Sequence, residues 1–199
     1  MLIADFGNFR VRAIANGILS TIAGNGNFGY TGDGGIGTGA NLTAPDGIVV
    51  DSKGNVDVCD TFANRVRTIN SFGIINVIAG TSTPGFGGDG GPATAGLLVD
   101  CQEIALDGAG NLYVADTHDR RIRKISAAGI ISTVAGNGVD NFSGDGGQAV
   151  NPELNNPQGV AVDSTGWWRW DENEYPPGRA GNPFGPCSPA ARGVFRPGA

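Results

Sequence analysis

Apolar positions along this chain come in short runs, each closed by turn residues. Around the second quarter of the sequence they predict four strands: a, Ile48–Asp51; b, Val56–Asp60; c, Arg65–Ile69; and d, Ile74–Ala79. All four are rich in β-branched side chains. The a–b link Asp51-Ser52-Lys53-Gly54-Asn55 suits a tight hairpin, with the aspartate side chain capping the turn and the late glycine at positive φ. The link from d to the next a is about 22 residues long, with one helical turn expected near Ala93–Leu98.

The pattern repeats. Gly32-Asp33-Gly34-Gly35 returns at Gly88-Asp89-Gly90-Gly91 and Gly144-Asp145-Gly146-Gly147, at intervals of 56 residues. Ala4-Asp5 followed by Arg10-Val11-Arg12 returns as Cys59-Asp60 with Arg65-Val66-Arg67, and as Ala115-Asp116 with Arg121-Ile122-Arg123. Gly17–Gly24 returns at Gly73–Gly80 and Gly129–Gly136, and Pro45–Asp51 at Pro157–Asp163. In the middle copy of the last motif, Cys101 and Glu103 replace the proline and the glycine. Four antiparallel strands at a fixed period of 40–60 residues are the signature of a β-propeller blade. The expected fold class is therefore all-β, a β-propeller of four-stranded antiparallel blades.

Asn111-Leu112-Tyr113-Val114-Ala115-Asp116-Thr117 with Arg121-Ile122-Arg123-Lys124-Ile125 resembles the NHL repeat. The segments Gly88–Ala95 and Ser132–Gly138 resemble its long variant. The resemblance covers residues 1–166. It implies a propeller, commonly of six blades, used as a binding scaffold in teneurin-like adhesion proteins, in extracytoplasmic sensors of bacterial kinases and in RNA-binding tripartite-motif proteins. The residues themselves do not set a location, and the resemblance alone favours a secreted or extracytoplasmic one.

Counting motifs places strands b to d of one blade in residues 1–24, full blades in 47–80 and 103–136, and the first strand of another in 159–163. That is about three blades, against the 4–8 of closed propellers. The chain thus reads as a fragment whose outer blade faces need other blades or a second chain to cover them. After Gly166 the repeat stops. Residues 167–199 hold all three tryptophans and six of the eleven prolines. This irregular tail reads either as a partner-docking segment or as a product of translation out of frame.

Composition narrows the function classes. Glycine at 35 residues and charged residues at 16 % favour tight turns and strands over long solvent-facing helices. No stretch approaches the roughly 18 apolar residues of a membrane-spanning helix. Net charge is −6, and residues 1–166 alone carry 9 basic and 16 acidic side chains, a field that repels nucleic acid and anionic membranes. No nucleic-acid or membrane partner is expected.

The candidate residues each have a chemical and a structural reading. Arg65 and Arg67, like Arg121 and Arg123, lie two apart and share one strand face. They make either a basic stripe for phosphates or ion pairs with the repeated aspartates Asp60 and Asp116, and recurrence in every blade favours the ion pairs. Asp33, Asp89 and Asp145 in the Gly-Asp-Gly-Gly motifs serve either as calcium ligands or as turn formers. One carboxylate per loop is thin support for calcium, so no metal or cofactor is expected. The single histidine, His118, lies in a b–c loop without an evident catalytic partner. Cys59 and Cys101 sit at corresponding ends of adjacent blades. They read as buried thiols or as a disulfide pair.

Together these readings predict a non-catalytic binding scaffold. A gluconolactonase-like hydrolase or lyase with its metal site in further blades is the alternative, and an RNA-binding domain a second one. Ligand contacts are expected on the face formed by the d–a and b–c loops, where Phe28, Tyr30, Phe86 and Phe142 precede the motifs and Asp33, Asp89, Asp145 and His118 also lie. The expected partner is a protein or a glycan.

Overall fold

A computed structural model describes residues 1–141, 143, 145 and 148–163. The first sheet holds β1 (Leu2–Asp5), β2 (Arg10–Ala15) and β3 (Ile18–Ala23). The second holds β4 (Pro45–Val50), β5 (Val56–Asp60), β6 (Arg65–Ile69) and β7 (Ile75–Ala79). The third holds β8 (Cys101–Leu106), β9 (Leu112–Asp116), β10 (Arg121–Ile125) and β11 (Ile131–Ala135). Within each sheet the strands follow chain order and every pairing is antiparallel. These are propeller blades, one of three strands and two of four, stacked face to face with β4 between β1 and β8.

The hairpins form as their side chains dictate. Asp51 Oδ1 accepts the backbone N–H groups of Lys53 and Asn55, both at 2.8 Å, and Asp107 holds Ala109 and Asn111 in the same way at 3.0 and 2.8 Å. Gly54 and Gly110 take φ of +82° and +81°. The helical turn expected from Ala93 to Leu98 is a single 3-10 turn, Ala93–Ala95, with a counterpart at Gly37–Gly39. The first blade strand begins earlier than expected, at Pro45. An irregularity between Pro45 and Ile48 separates its first rung from the rest.

Apolar faces meet between blades. Val11, Leu42, Val58 and Ile75 fill the first interface, and Cys59, Val66, Cys101, Ile104 and Val114 the second. Residues 159–163, expected as a first strand, form no ladder, although Val160 is buried against Tyr113, Ala115 and Ile122. A strand needs a hydrogen-bonded neighbour. The neighbour that the repeat calls for would begin near residue 167, in a tail outside the described residues, as is Phe142.

Candidate functional site

The first two Gly-Asp-Gly-Gly motifs lie against the outer strand of the following blade, and most of the third falls outside the described residues. Gly34 N–H donates to Ile75 O at 2.8 Å and Ile75 N–H donates to Gly35 O at 3.0 Å; Gly90, Ile131 and Gly91 repeat this at 2.8 and 3.0 Å. The motif thus supplies rungs at the start of β7 and of β11, strands that otherwise end their sheets.

This placement aims the motif aspartates inward. Asp33 Oδ1 accepts from Arg67 Nη2 at 2.8 Å and from Arg67 Nε at 3.1 Å, and Arg65 lies 3.6 Å from its other oxygen. Asp89 accepts from Arg123 Nη2 at 2.6 Å and from the Thr133 N–H at 3.1 Å. On its other side Arg67 reaches Asp60 at 3.4 Å, and Arg123 reaches Asp116 at 3.3 Å. Each arginine is wholly buried between two carboxylates and also donates to two linker carbonyls: Asn41 and Thr31 for Arg67, Leu97 and Gly87 for Arg123. Asp60 in turn accepts from the Thr43 N–H, the Thr43 hydroxyl and the Ala44 N–H, at 2.7, 2.6 and 3.2 Å. Burial raises the Asp89 pKa, but the Thr133 and Arg123 hydrogen bonds outweigh it and leave the carboxyl below its ordinary value.

Phe86 belongs to the same assembly, with the Arg121 guanidinium 3.8 Å and the Arg123 guanidinium 5.1 Å from its ring centre. Tyr30 sits likewise 5.1 Å from Arg65. Both rings keep one side in solvent. Asp145 is exposed in the third linker.

His118 lies apart from these groups. It is 53 % exposed, and its Nδ1 is 2.6 Å from Asp100 Oδ2. It occupies the b–c turn of the third blade at the position that Phe62 holds in the second. Phe62 is 55 % exposed and packs edge-to-face on Phe6 of the first blade, with ring centres 5.9 Å apart. Gly7, Phe62 and His118 thus fill the same exposed position in three successive blades, three residues before the first arginine of strand c, and Phe6 stands at the place of Thr61 and Thr117. In the second and third blades the flanking turn is the same: Thr61 and Asn64, then Thr117 and Arg120, frame it with matched backbone bonds at 2.9 and 3.1 Å.

One feature escaped the sequence patterns. A cavity of about 940 Å³ opens between the second and third blades on the short-turn face, lined by Asp51, Lys53, Asp57, Leu106, Asp107 and Leu112 among others. Asp57 occupies the strand position filled by Leu2 in the first blade and Tyr113 in the third. It is only 8 % exposed. Burial pushes its pKa up to about 6, opposed by a Thr68 hydrogen bond and assisted by the Asp51 charge. The signal was present as a polar residue breaking an apolar repeat position.

No protein-family model matches the chain. Its structure is similar to a protein of unknown function from Bacteroides thetaiotaomicron VPI-5482, with a TM-score of 0.61 at 20 % identity over 80 % of this chain and 38 % of that one. An auxiliary nutrient binding protein from the same organism gives 0.59 at 11 % identity, over 81 % and 40 % of the two chains. Another from Bacteroides ovatus ATCC 8483 gives 0.51 at 21 % identity, over 66 % and 34 %. The chain therefore spans about two fifths or less of these neighbours' length. The class is set by the fold: an all-β protein of β-propeller blades. Among the described residues these form an arc of three.

Proposed function

We propose that this chain is part of an NHL-type binding propeller, non-catalytic, that takes a protein or glycan ligand on the face of its b–c turns. One observation carries the proposal: an exposed position that differs from blade to blade, Gly7, Phe62 and His118 in turn, stands on a b–c turn closed by the same backbone bond each time. The frame's own charges are occupied. Arg67 and Arg123 sit between pairs of carboxylates, so the repeated motifs serve architecture, and selectivity falls to the residues that vary. The exposed pair Phe6 and Phe62 offers apolar stacking surface with low conformational-entropy cost, suited to a sugar ring or to a protein side chain. Net charge of −6 disfavours a polyanion as the partner. Two of the similar structures are those of auxiliary nutrient binding proteins, which is in keeping with this reading.

The test is a screen of the protein on a glycan array and a panel of extracellular proteins, followed by titration of any hit. Phe62→Ala and His118→Ala are expected to weaken binding about tenfold or more, as loss of a buried aromatic contact does. Lys53→Ala and Ala109→Ser, on the opposite short turns, serve as controls. Loss of binding in the controls with retention in Phe62→Ala would reverse the face assignment.

A further inference from the structure

We propose that Cys59 and Cys101 are a built oxidation site that closes to a disulfide joining the second blade to the third. The repeat supplies the first argument. The strand position of Cys59 holds Ala4 in the first blade and Ala115 in the third, and the position of Cys101 holds Pro45 and Pro157. Sulfur therefore enters the repeat twice, and both times at the same interface. At the preceding interface the corresponding pair is Ala4 with Pro45, and at the following one Ala115 with Pro157.

Geometry supplies the second argument. Both side chains are fully buried in one apolar cluster with Val66, Ile104 and Val114. Thr61, two residues after Cys59, donates its hydroxyl to Cys101 O at 2.8 Å, and the Cys101 thiol donates to Arg65 O at 3.3 Å. Arg65 adjoins Val66, the residue that faces Cys59 across the β5–β6 ladder. Cys101 is thus held from both sides of Cys59.

The chemistry balances with a small disulfide such as oxidised glutathione. One cysteine thiolate attacks a glutathione sulfur and expels one glutathione. The second cysteine then attacks the mixed disulfide and expels the other. Two protein thiols and one glutathione disulfide become one protein disulfide and two glutathione thiols. Burial pushes the Cys59 thiol well above its ordinary pKa, which suppresses the reactive thiolate in the folded chain. The bond accordingly closes while the chain folds, before the third blade seats against the second. It encloses the whole Gly-Asp-Gly-Gly linker that runs between those blades.

The experiment uses the full chain with Cys187→Ser, which removes the remaining thiol. It is refolded in parallel in a glutathione redox buffer and in a reducing buffer, then denatured and alkylated. The expected oxidised product is about 2 Da lighter, takes up no alkylating reagent and yields one peptide that links Cys59 to Cys101. It melts roughly 5–15 °C above the reduced product. In Cys59→Ala with Cys101→Pro, the pair used by the other blades, that redox-dependent difference vanishes. The proposal is overturned if both cysteines remain alkylatable after oxidative refolding, or if the oxidised chain melts at or below the reduced one. Alkylation of the natural pair decides the matter whether or not the double variant folds.

Discussion

Arg67 and Arg12 fill the same place in successive blades, yet their environments differ. Arg67 lies between Asp33 and Asp60 with no solvent exposure, whereas Arg12 reaches only Asp5, at 3.3 Å, and is 25 % exposed. Burying a charge is costly unless its partners are fixed in place, and removal of one partner leaves the others uncompensated. Arg67→Ala is therefore expected to lower stability by about 3–5 kcal/mol. Arg12→Ala should cost about 1 kcal/mol or less. Chemical denaturation of the two variants checks the contrast, and equal losses would mean that the linker aspartate adds nothing. Asp57 gives a second prediction at this scale. The folded chain binds its proton more tightly than the unfolded chain, because burial raises the pKa from 3.8 to about 6. Its contribution is thus most favourable below about pH 4 and is lost as pH rises toward 6, amounting to about 1–3 kcal/mol. Asp57→Leu, which installs the first blade's residue, should raise the melting temperature at pH 7 and flatten this part of the stability profile. An unchanged profile in the variant would assign the pH dependence to other groups.

At the scale of elements, the outer strands show what the linkers do. Leu19, Ile75 and Ile131 correspond in β3, β7 and β11. The first is 49 % exposed and the other two are fully buried, and among the described residues only β7 and β11 carry a Gly-Asp-Gly-Gly segment alongside. Amide hydrogen exchange should accordingly be slower at Ile75 and Ile131 than at Leu19 by a factor of about 100 or more, since their N–H groups are bonded to Gly35 and Gly91. The joint between strand and linker is also sharply specified. Gly80 has φ of +86°, and a Cβ there would lie 2.1 Å from Asn64 O. Gly80→Ala should cost over about 2 kcal/mol, whereas Gly54→Ala, at similar φ but in open space, should cost about 1 kcal/mol.

Much of this was legible in the sequence. Strands β5, β6, β9 and β10 fall on apolar runs bounded by Asp and Arg, and the hairpin aspartates Asp51 and Asp107 announce their turns by spacing alone. The engagement of Asp33 and Asp89 was harder to read. Their partners lie in the next repeat, and only the equal separation of 34 residues, Asp33 to Arg67 and Asp89 to Arg123, encodes it. The Asp57 cavity was illegible for another reason. A polar residue in a strand signals a solvent face as readily as a gap between sheets, and only packing of the neighbouring blade distinguishes the two.

At the scale of the molecule, the linker between two blades serves the second of them three times over. It adds rungs to the outer strand, it neutralises the buried arginine, and it covers the apolar start of that strand. Blades built in this way are coupled to their neighbours in one direction along the chain, and stability accumulates through nearest-neighbour interfaces. The same division separates architecture from recognition: Asp89, in the linker, holds the third blade, while Phe62 faces outward from the b–c turn of the second. The affinity of a ligand identified on the array, measured by calorimetry for Asp89→Asn and Phe62→Ala at a temperature where both remain folded, tests that division most directly. The account predicts that Asp89→Asn keeps the affinity within about twofold while losing thermal stability, and that Phe62→Ala loses about tenfold or more in affinity with little change in stability. A loss of affinity in Asp89→Asn with none in Phe62→Ala would contradict it.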